Sequence, residues 1–330
     1  MSANQEYFSE RMDFVLPEFV RLSWVSEQAR TIWAPRFKRV VEAWATMEQA
    51  SVVSAIRSCA LVIVSSNQLD GLMKQWEAWG LTAVDLEEKS VSASALVEWG
   101  SRSLRVVLGN PASVRCFREA WGAENHGSMG ELLGYPECCR NRFEERCISG
   151  KSIDPTWPMA IESSHCSSLM GQIEIRGDVF ANALWRWVGV RAVPHLPCRF
   201  DCAATVRLGR RFLDLGIKLG FRDEVEWLRE ILSWPVAWSG LHGIAEVKTP
   251  LLKICTRTDA MTFKQTLRLK GESYPKEGAQ GVAFPYRQPL KPKVTSSLAF
   301  ERGLEQNRQD PLVGLNAAVL HVSSLNTRSQ

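Results

Sequence analysis

Two short stretches carry residues suited to metal chemistry. "GYPECCRNRF", residues 134–143, sets Cys138 and Cys139 side by side behind Tyr135 and Pro136. "PHLPCRFDC", residues 194–202, sets His195 just ahead of Cys198 and Cys202. Thiolate and imidazole are the side chains that soft and borderline metals take as ligands. Proline suits the first turn of a helix, so Pro136 predicts a helix start with Cys138 and Cys139 at its N-terminus. Unpaired N–H groups and the positive end of the dipole favour thiolate there. The second motif reads the same way. Pro197 precedes Cys198, and the i, i+4 spacing of Cys198 and Cys202 predicts both on one face of a helix's first turns. Two helix starts aimed at one point would form an electropositive pocket for a thiolate-bound metal.

The spacing bears on the metal. Structural zinc usually takes cysteines in C-x2-C or C-x4-C knuckles, whereas adjacent cysteines diverge by about 100° around a helix. An iron–sulfur cluster can offer a different iron to each neighbour, and four thiolates are its usual ligand set. The sequence therefore favours a [4Fe–4S] cluster held by Cys138, Cys139, Cys198 and Cys202, with zinc as the alternative. His195 is a further candidate ligand. It is also a candidate acid or base if three thiolates bind and one iron stays open to substrate. Tyr135, a hydrogen-bond donor, and Glu131, just ahead of the first motif, complete the candidate catalytic set. His165 and Cys166 in "ESSHCSS" are positioned in the chain to swing in as extra ligands. Arg140, Arg142, Arg191 and Arg199 flank the motifs as anion binders or, in the plainer reading, as solvated helix faces. Cys139, Phe143 and Cys147 recur every four residues and share a helix face. Cys147 otherwise reads as a core thiol, as do Cys59, Cys116 and Cys255 in their apolar runs.

The motif pair G-Y-P-x-C-C and H-x-P-C-x3-C resembles one found in a family of uncharacterised prokaryotic proteins. Gly134, Tyr135, Pro136, Cys138, Cys139, His195, Pro197, Cys198 and Cys202 carry the resemblance. "EVKTPLLKI" and "YPKEGAQGVAFPYR" are further landmarks. The likeness implies a shared site and no particular reaction. Three readings of function stand at this point. The first is an iron–sulfur enzyme acting on a small molecule by lyase or redox chemistry, with an electron-transfer partner in the redox case. The second is a structural-zinc protein with a binding or interaction role. The third has a metal-free cysteine nucleophile activated by His195. No S-x-x-K, G-x-S-x-G or H-E-x-x-H signature is present to support a hydrolase of those types.

The elements that must position these residues predict a mixed α/β fold, α+β overall. Residues 1–57 read as N-terminal helices. Residues 58–125 alternate strand and helix: "ALVIVSS", "NQLDGLMKQWEAWG", "LTAVDLE", "SASALVEWGSRS", "LRVVLGN", "PASVRCFREAW". That pattern predicts a small parallel sheet. Residues 126–285 form the cysteine/histidine region, with 149–177 irregular, a helix over "DVFANALWRWVGV" and a long one after Pro197. "GIAEVKTPLLKICTRT" and "TFKQTLRLKGESY" close this region as an antiparallel hairpin. Residues 286–330 read as a loosely ordered tail with a short helix at "LVGLNAAVLHV".

The 330 residues carry a formal charge of +4. Six basic and three acidic residues lie beyond 285, so the remainder is close to neutral. No basic stripe interleaved with aromatics appears, which argues against nucleic-acid binding. The polar start and the short apolar runs offer no signal peptide and no membrane span, so a cytoplasmic protein is expected. Nine cysteines there are expected to be reduced. Most of the thirteen tryptophans are expected to fill core space.

Overall fold

The computed structural model of the protein describes residues 20–86, 103–163, 167–169 and 171–275. Several expectations lie outside them: the chain before residue 20, the helix at "SASALVEWGSRS", His165, Cys166, most of "YPKEGAQGVAFPYR" and the tail.

Two sheets organise the molecule. The larger is built from β1 (Val20–Trp24), β5 (Ser167–Leu169), β6 (Gln172–Arg176), β7 (Val236–Leu241), β8 (Ile244–Lys248), β9 (Leu252–Arg257) and β10 (Gln265–Lys270). Its seven strands lie in the order β1-β9-β8-β7-β10-β6-β5. All its pairings are antiparallel except that of β10 with β6. The smaller sheet comprises β2 (Cys59–Ser65), β3 (Thr82–Asp85) and β4 (Ser103–Gly109), in the order β2-β4-β3.

The long helix α1 (Glu27–Val53) packs on the large sheet. Ser26 starts it, its Oγ accepting the Ala29 N–H at 3.0 Å. Trp33, Phe37, Val40, Val41, Trp44 and Met47 recur at helical spacing and are all buried. They meet Trp185, Trp234 and Phe212; the Trp33 and Trp234 rings cross edge-to-face at 4.6 Å, and Trp44 stacks on Phe212 at 5.2 Å. Tryptophan thus fills core space here as the sequence suggested.

The mixed α/β class holds, but several elements differ from expectation. Residues 20–24 are a strand rather than part of a helix. Val20, Leu22 and Trp24 also satisfy a period of two, and the open edge of β9 takes them up, Val20 opposite Thr256 and Trp24 opposite Leu252. The small sheet is antiparallel, not parallel. β2 and β3 do run in the same direction, joined by α2 (Leu69–Ala78), but β4 lies between them in the opposite sense. β4 takes the centre because both its faces are apolar. Val106 and Leu108 join Trp76 of α2, while Val107 meets Phe117 of α3 (Pro111–Gly122). Residues 149–177 are not irregular throughout: they hold α6 (Thr156–Ile161), β5 and β6.

Residues 178–190 form two short 3-10 turns in place of the expected helix. Asp178 and Asn182 accept the N–H groups of Phe180 and Leu184, and the Asn182 amide donates to Leu232 O at 2.9 Å. Such side-chain bonds compete with helical ones. Finally, β10 is not the hairpin partner of β9; it inserts between β7 and β6, while β8 and β9 form their own hairpin. None of the helices of the described residues is long and apolar enough to cross a membrane.

Candidate metal centre

The first motif sits on a short arm of two helices, α4 (His126–Leu132) and α5 (Glu137–Phe143). Gly134 turns the chain between them with φ +72°. A Cβ there would lie 2.8 Å from the Arg57 Cβ, so glycine is needed both for the left-handed backbone and for the close approach. We expect Gly134→Ala to cost about 2 kcal/mol or more, from a left-handed penalty of about 1–2 kcal/mol plus the clash. A shift in the urea midpoint measures it. An unchanged midpoint would mean the turn relaxes freely. Pro136 is the N-cap of α5, which sets Cys138 and Cys139 in its first turn as the sequence indicated.

The second motif is built differently from expectation. The helix α7 (Ala203–Lys218) begins only after Cys202, which is its N-cap; Cys198 lies in the preceding loop. The two thiols therefore do not share a helix face. The loop is instead pinned along its length. Phe200 is fully buried, its N–H donating to Ser163 Oγ at 2.9 Å and its carbonyl accepting from Asp178. Arg146 donates to Cys198 O at 3.2 Å. Behind Cys202, Leu208, Phe212 and Leu213 seat α7 against the core of the large sheet.

These two supports bring four sulfurs together. Cys138, Cys139, Cys198 and Cys202 place their Sγ atoms within 4.8 Å of one another. Cys138 lies 3.9 Å from Cys139 and 3.7 Å from Cys202, and Cys139 lies 3.7 Å from Cys202. The Cys198 N–H also donates to Cys139 Sγ at 3.3 Å. Cys139, Cys198 and Cys202 are buried; Cys138 is exposed. Four thiolates this close and this buried repel one another strongly, so they need either protons or a cation. Without a metal, hydrogen bonds from the Cys139 and Cys198 thiols hold the Cys202 sulfur as thiolate, far below the usual thiol range. Cys139 is correspondingly pushed up, by its bonds to Cys198 and Cys202 and by burial. For Cys198 the bond to Cys139 lowers the value, but Cys202 and burial outweigh it and bring it to about 12. A metal ion would replace those protons. The donor set fits one, and the four cysteines could hold a metal ion or cluster.

His195 stands outside the four-sulfur group and reaches it through Thr205. His195 Nε2 lies 3.0 Å from Thr205 Oγ1, which lies 3.3 Å from Cys139 Sγ. Thr205 has one hydroxyl proton. With Cys139 as thiolate that proton goes to sulfur, so His195 must donate from Nε2. Its Nδ1 is then a bare acceptor, and that atom is buried with no partner. Burial, foremost, lowers the His195 pKa to about 4. Its imidazole is therefore neutral near pH 7. An unfolded histidine takes its proton near pH 6.5, whereas the folded one resists until about pH 4. Stability present above pH 6.5 is thus lost as pH falls through that interval. We expect His195→Gln, at matched metal content, to flatten this part of the stability–pH curve. Parallel curves for the two proteins would refute the assignment.

The remaining candidates are structurally engaged. The Tyr135 ring packs on His195 at 5.2 Å between centroids, its hydroxyl donates to Pro194 O at 3.4 Å, and burial pushes its pKa up to about 12. Glu131 is exposed and pairs with Arg140 at 3.1 Å. Arg142 pairs with Glu145 and Glu162, Arg191 with Glu48 and Arg199 with Asp201. Cys147 is buried, and burial raises its thiol to about 11. It lies on a π-helical turn, Glu144–Ser149, that breaks the four-residue repeat from Cys139. Thr205 and Arg146 are the site residues that the motifs did not flag. The signal for Thr205 was its position three residues after Cys202, on the first turn of α7.

Comparison with family models, curated proteins and solved structures finds no match to this chain.

Proposed function

We propose that the protein is a metalloprotein whose Cys138, Cys139, Cys198 and Cys202 hold a single tetrahedral ion, zinc, that clamps the α4–α5 arm to the start of α7. The sulfur separations carry this reading. Four sulfurs about 2.3 Å from a central zinc lie about 3.8 Å apart. Three of the pairs stand at 3.7–3.9 Å. A [4Fe–4S] cube holds its cysteine sulfurs roughly 6 Å apart or more, so the site would have to open to admit one. The separations thus favour the zinc alternative over the cluster that the adjacent cysteines suggested. In this role zinc supplies cross-linking without redox chemistry. Thr205, held by His195, neutralises part of the charge on Cys139, as partners of metal ligands commonly do. The resemblance to the motif-sharing prokaryotic family belongs to the same reading, as a likeness of sites.

The iron–sulfur enzyme is the second reading. What favours it is the exposure of Cys138, which leaves one corner of the centre open to solvent. A small substrate would approach the centre from the side of Cys138, and Glu131, Tyr135 and His195 keep their candidate catalytic roles in this reading. Metal analysis of protein purified without oxygen separates the two. One zinc per chain in a colourless protein supports the first. Brown protein containing several irons per chain would replace it with the second.

A further inference from the structure

We propose that Cys138 is a peroxide-reactive thiolate, and that its oxidation joins it to Cys202 and expels the metal. The inference rests on the single-ion reading above and adds regulation to that site. Its basis is an asymmetry among the four sulfurs. Cys139, Cys198 and Cys202 are buried, and only Cys138 of the set is exposed. A metal-bound thiolate remains nucleophilic, so access decides which of the four meets an oxidant. Cys202 is the sulfur placed to resolve the product. Its Sγ lies 3.7 Å from Cys138 Sγ and belongs to a different element, the N-cap of α7. Cys139 is 3.9 Å away, but it is the adjacent residue on the same helical turn, where a disulfide would distort the peptide between them. Cys116, although exposed, lies on α3 outside the four-sulfur group.

The steps balance with a hydroperoxide as oxidant. The Cys138 thiolate attacks one peroxide oxygen; the O–O bond breaks, a sulfenic acid forms and hydroxide leaves. The Cys202 thiolate then attacks the Cys138 sulfur; the S–S bond forms, the S–O bond breaks and a second hydroxide leaves. Two protons from solvent convert the hydroxides to water. The thiolate pair has lost two electrons and hydrogen peroxide has gained them. Only Cys139 and Cys198 of the four thiolates would then remain to hold a metal, too few to retain it, and the clamp between α5 and α7 would be released. A dithiol reductant reverses the S–S bond, after which zinc can rebind.

The test uses the full-length zinc-loaded protein, titrated with hydrogen peroxide in the presence of a chromogenic zinc chelator and then mapped by non-reducing peptide mass spectrometry. The expected result is one zinc released per disulfide, with a Cys138–Cys202 cross-linked peptide that dithiothreitol removes. Cys138→Ser should slow zinc release by about tenfold or more, because the remaining thiolates are shielded. Zinc that stays bound while Cys116 oxidises overturns the proposal and leaves the metal centre standing. So does release accompanied by a different disulfide or by sulfonic acid alone. A protein that holds no metal before peroxide is added overturns both. If the serine variant fails to bind zinc, the wild-type peptide map alone decides.

Discussion

Cys202→Ser is expected to lower zinc affinity by at least about 100-fold, equivalent to about 3 kcal/mol of binding free energy. Cys202 is the focus of the sulfur set, lying 3.7 Å from both Cys138 and Cys139, and it caps the helix that the centre holds. Because an ion that binds only the folded chain adds to its stability, the variant should also unfold at lower urea in the presence of zinc. Chelation of the wild type should act locally. The main core, from Ala29 to Leu269, contains none of the four sulfurs; three of them form a separate small cluster with Ala204. Hydrogen exchange is therefore expected to rise in 126–149 and 194–205, with the large sheet still protected. Zinc-free and zinc-loaded wild-type proteins with the same urea midpoint and the same exchange map would remove the clamp from consideration.

The second large effect is expected at Arg57, which ties the end of α1 to the arm bearing the first motif. Its side chain is 1% exposed. Nε donates to Ser51 Oγ at 2.7 Å and Nη2 to Glu48 O at 2.8 Å, with Glu48 Oε1 at 3.7 Å. Arg191 holds the other Glu48 oxygen at 3.0 Å. Burial lowers the Arg57 pKa, offset in part by Glu48, but a guanidinium keeps its charge in a folded protein. Replacing it leaves a mostly buried carboxylate with one cation and takes away the donor to Ser51 Oγ, although Ser51 still donates to Glu48 O at 2.6 Å. Arg57→Met should therefore cost about 3 kcal/mol or more by urea denaturation. The double variant with Glu48→Gln should recover part of that loss, since no uncompensated carboxylate remains. Strict additivity of the two changes would show that the pair is not coupled. Gly134 packs directly on the Arg57 Cβ, which methionine keeps, so the turn that presents Cys138 and Cys139 should survive the substitution.

Much of the site was legible in the chain because its signals are local. Pro136 ahead of a cysteine pair marks a helix start whatever the surroundings, and α5 begins there. The apolar repeat of α1 and the cap at Ser26 likewise depend on neighbours within a few residues. The proline-rich loop with His195, Cys198 and Cys202 was recognisable as a partner to the first motif because few residue types bind metals. Its conformation was not. The start of α7 depends on Phe200 being drawn into the core and held by Ser163 and Asp178, residues well separated from it in the chain. The sheet order was hidden for a similar reason. The alternation in β1, β4 and β10 sets which side chains face inward, but pairing depends on which edge is free once the other strands have assembled.

By itself, then, the sequence determined that four thiols and a histidine are candidates for one centre, since ligand chemistry belongs to residue type and short spacing. Only the tertiary structure decided how far apart the sulfurs stand, which one faces solvent, and that Thr205 stands between His195 and Cys139. Those quantities depend on how two segments distant in the chain are packed, and packing is a property of the whole core rather than of either motif.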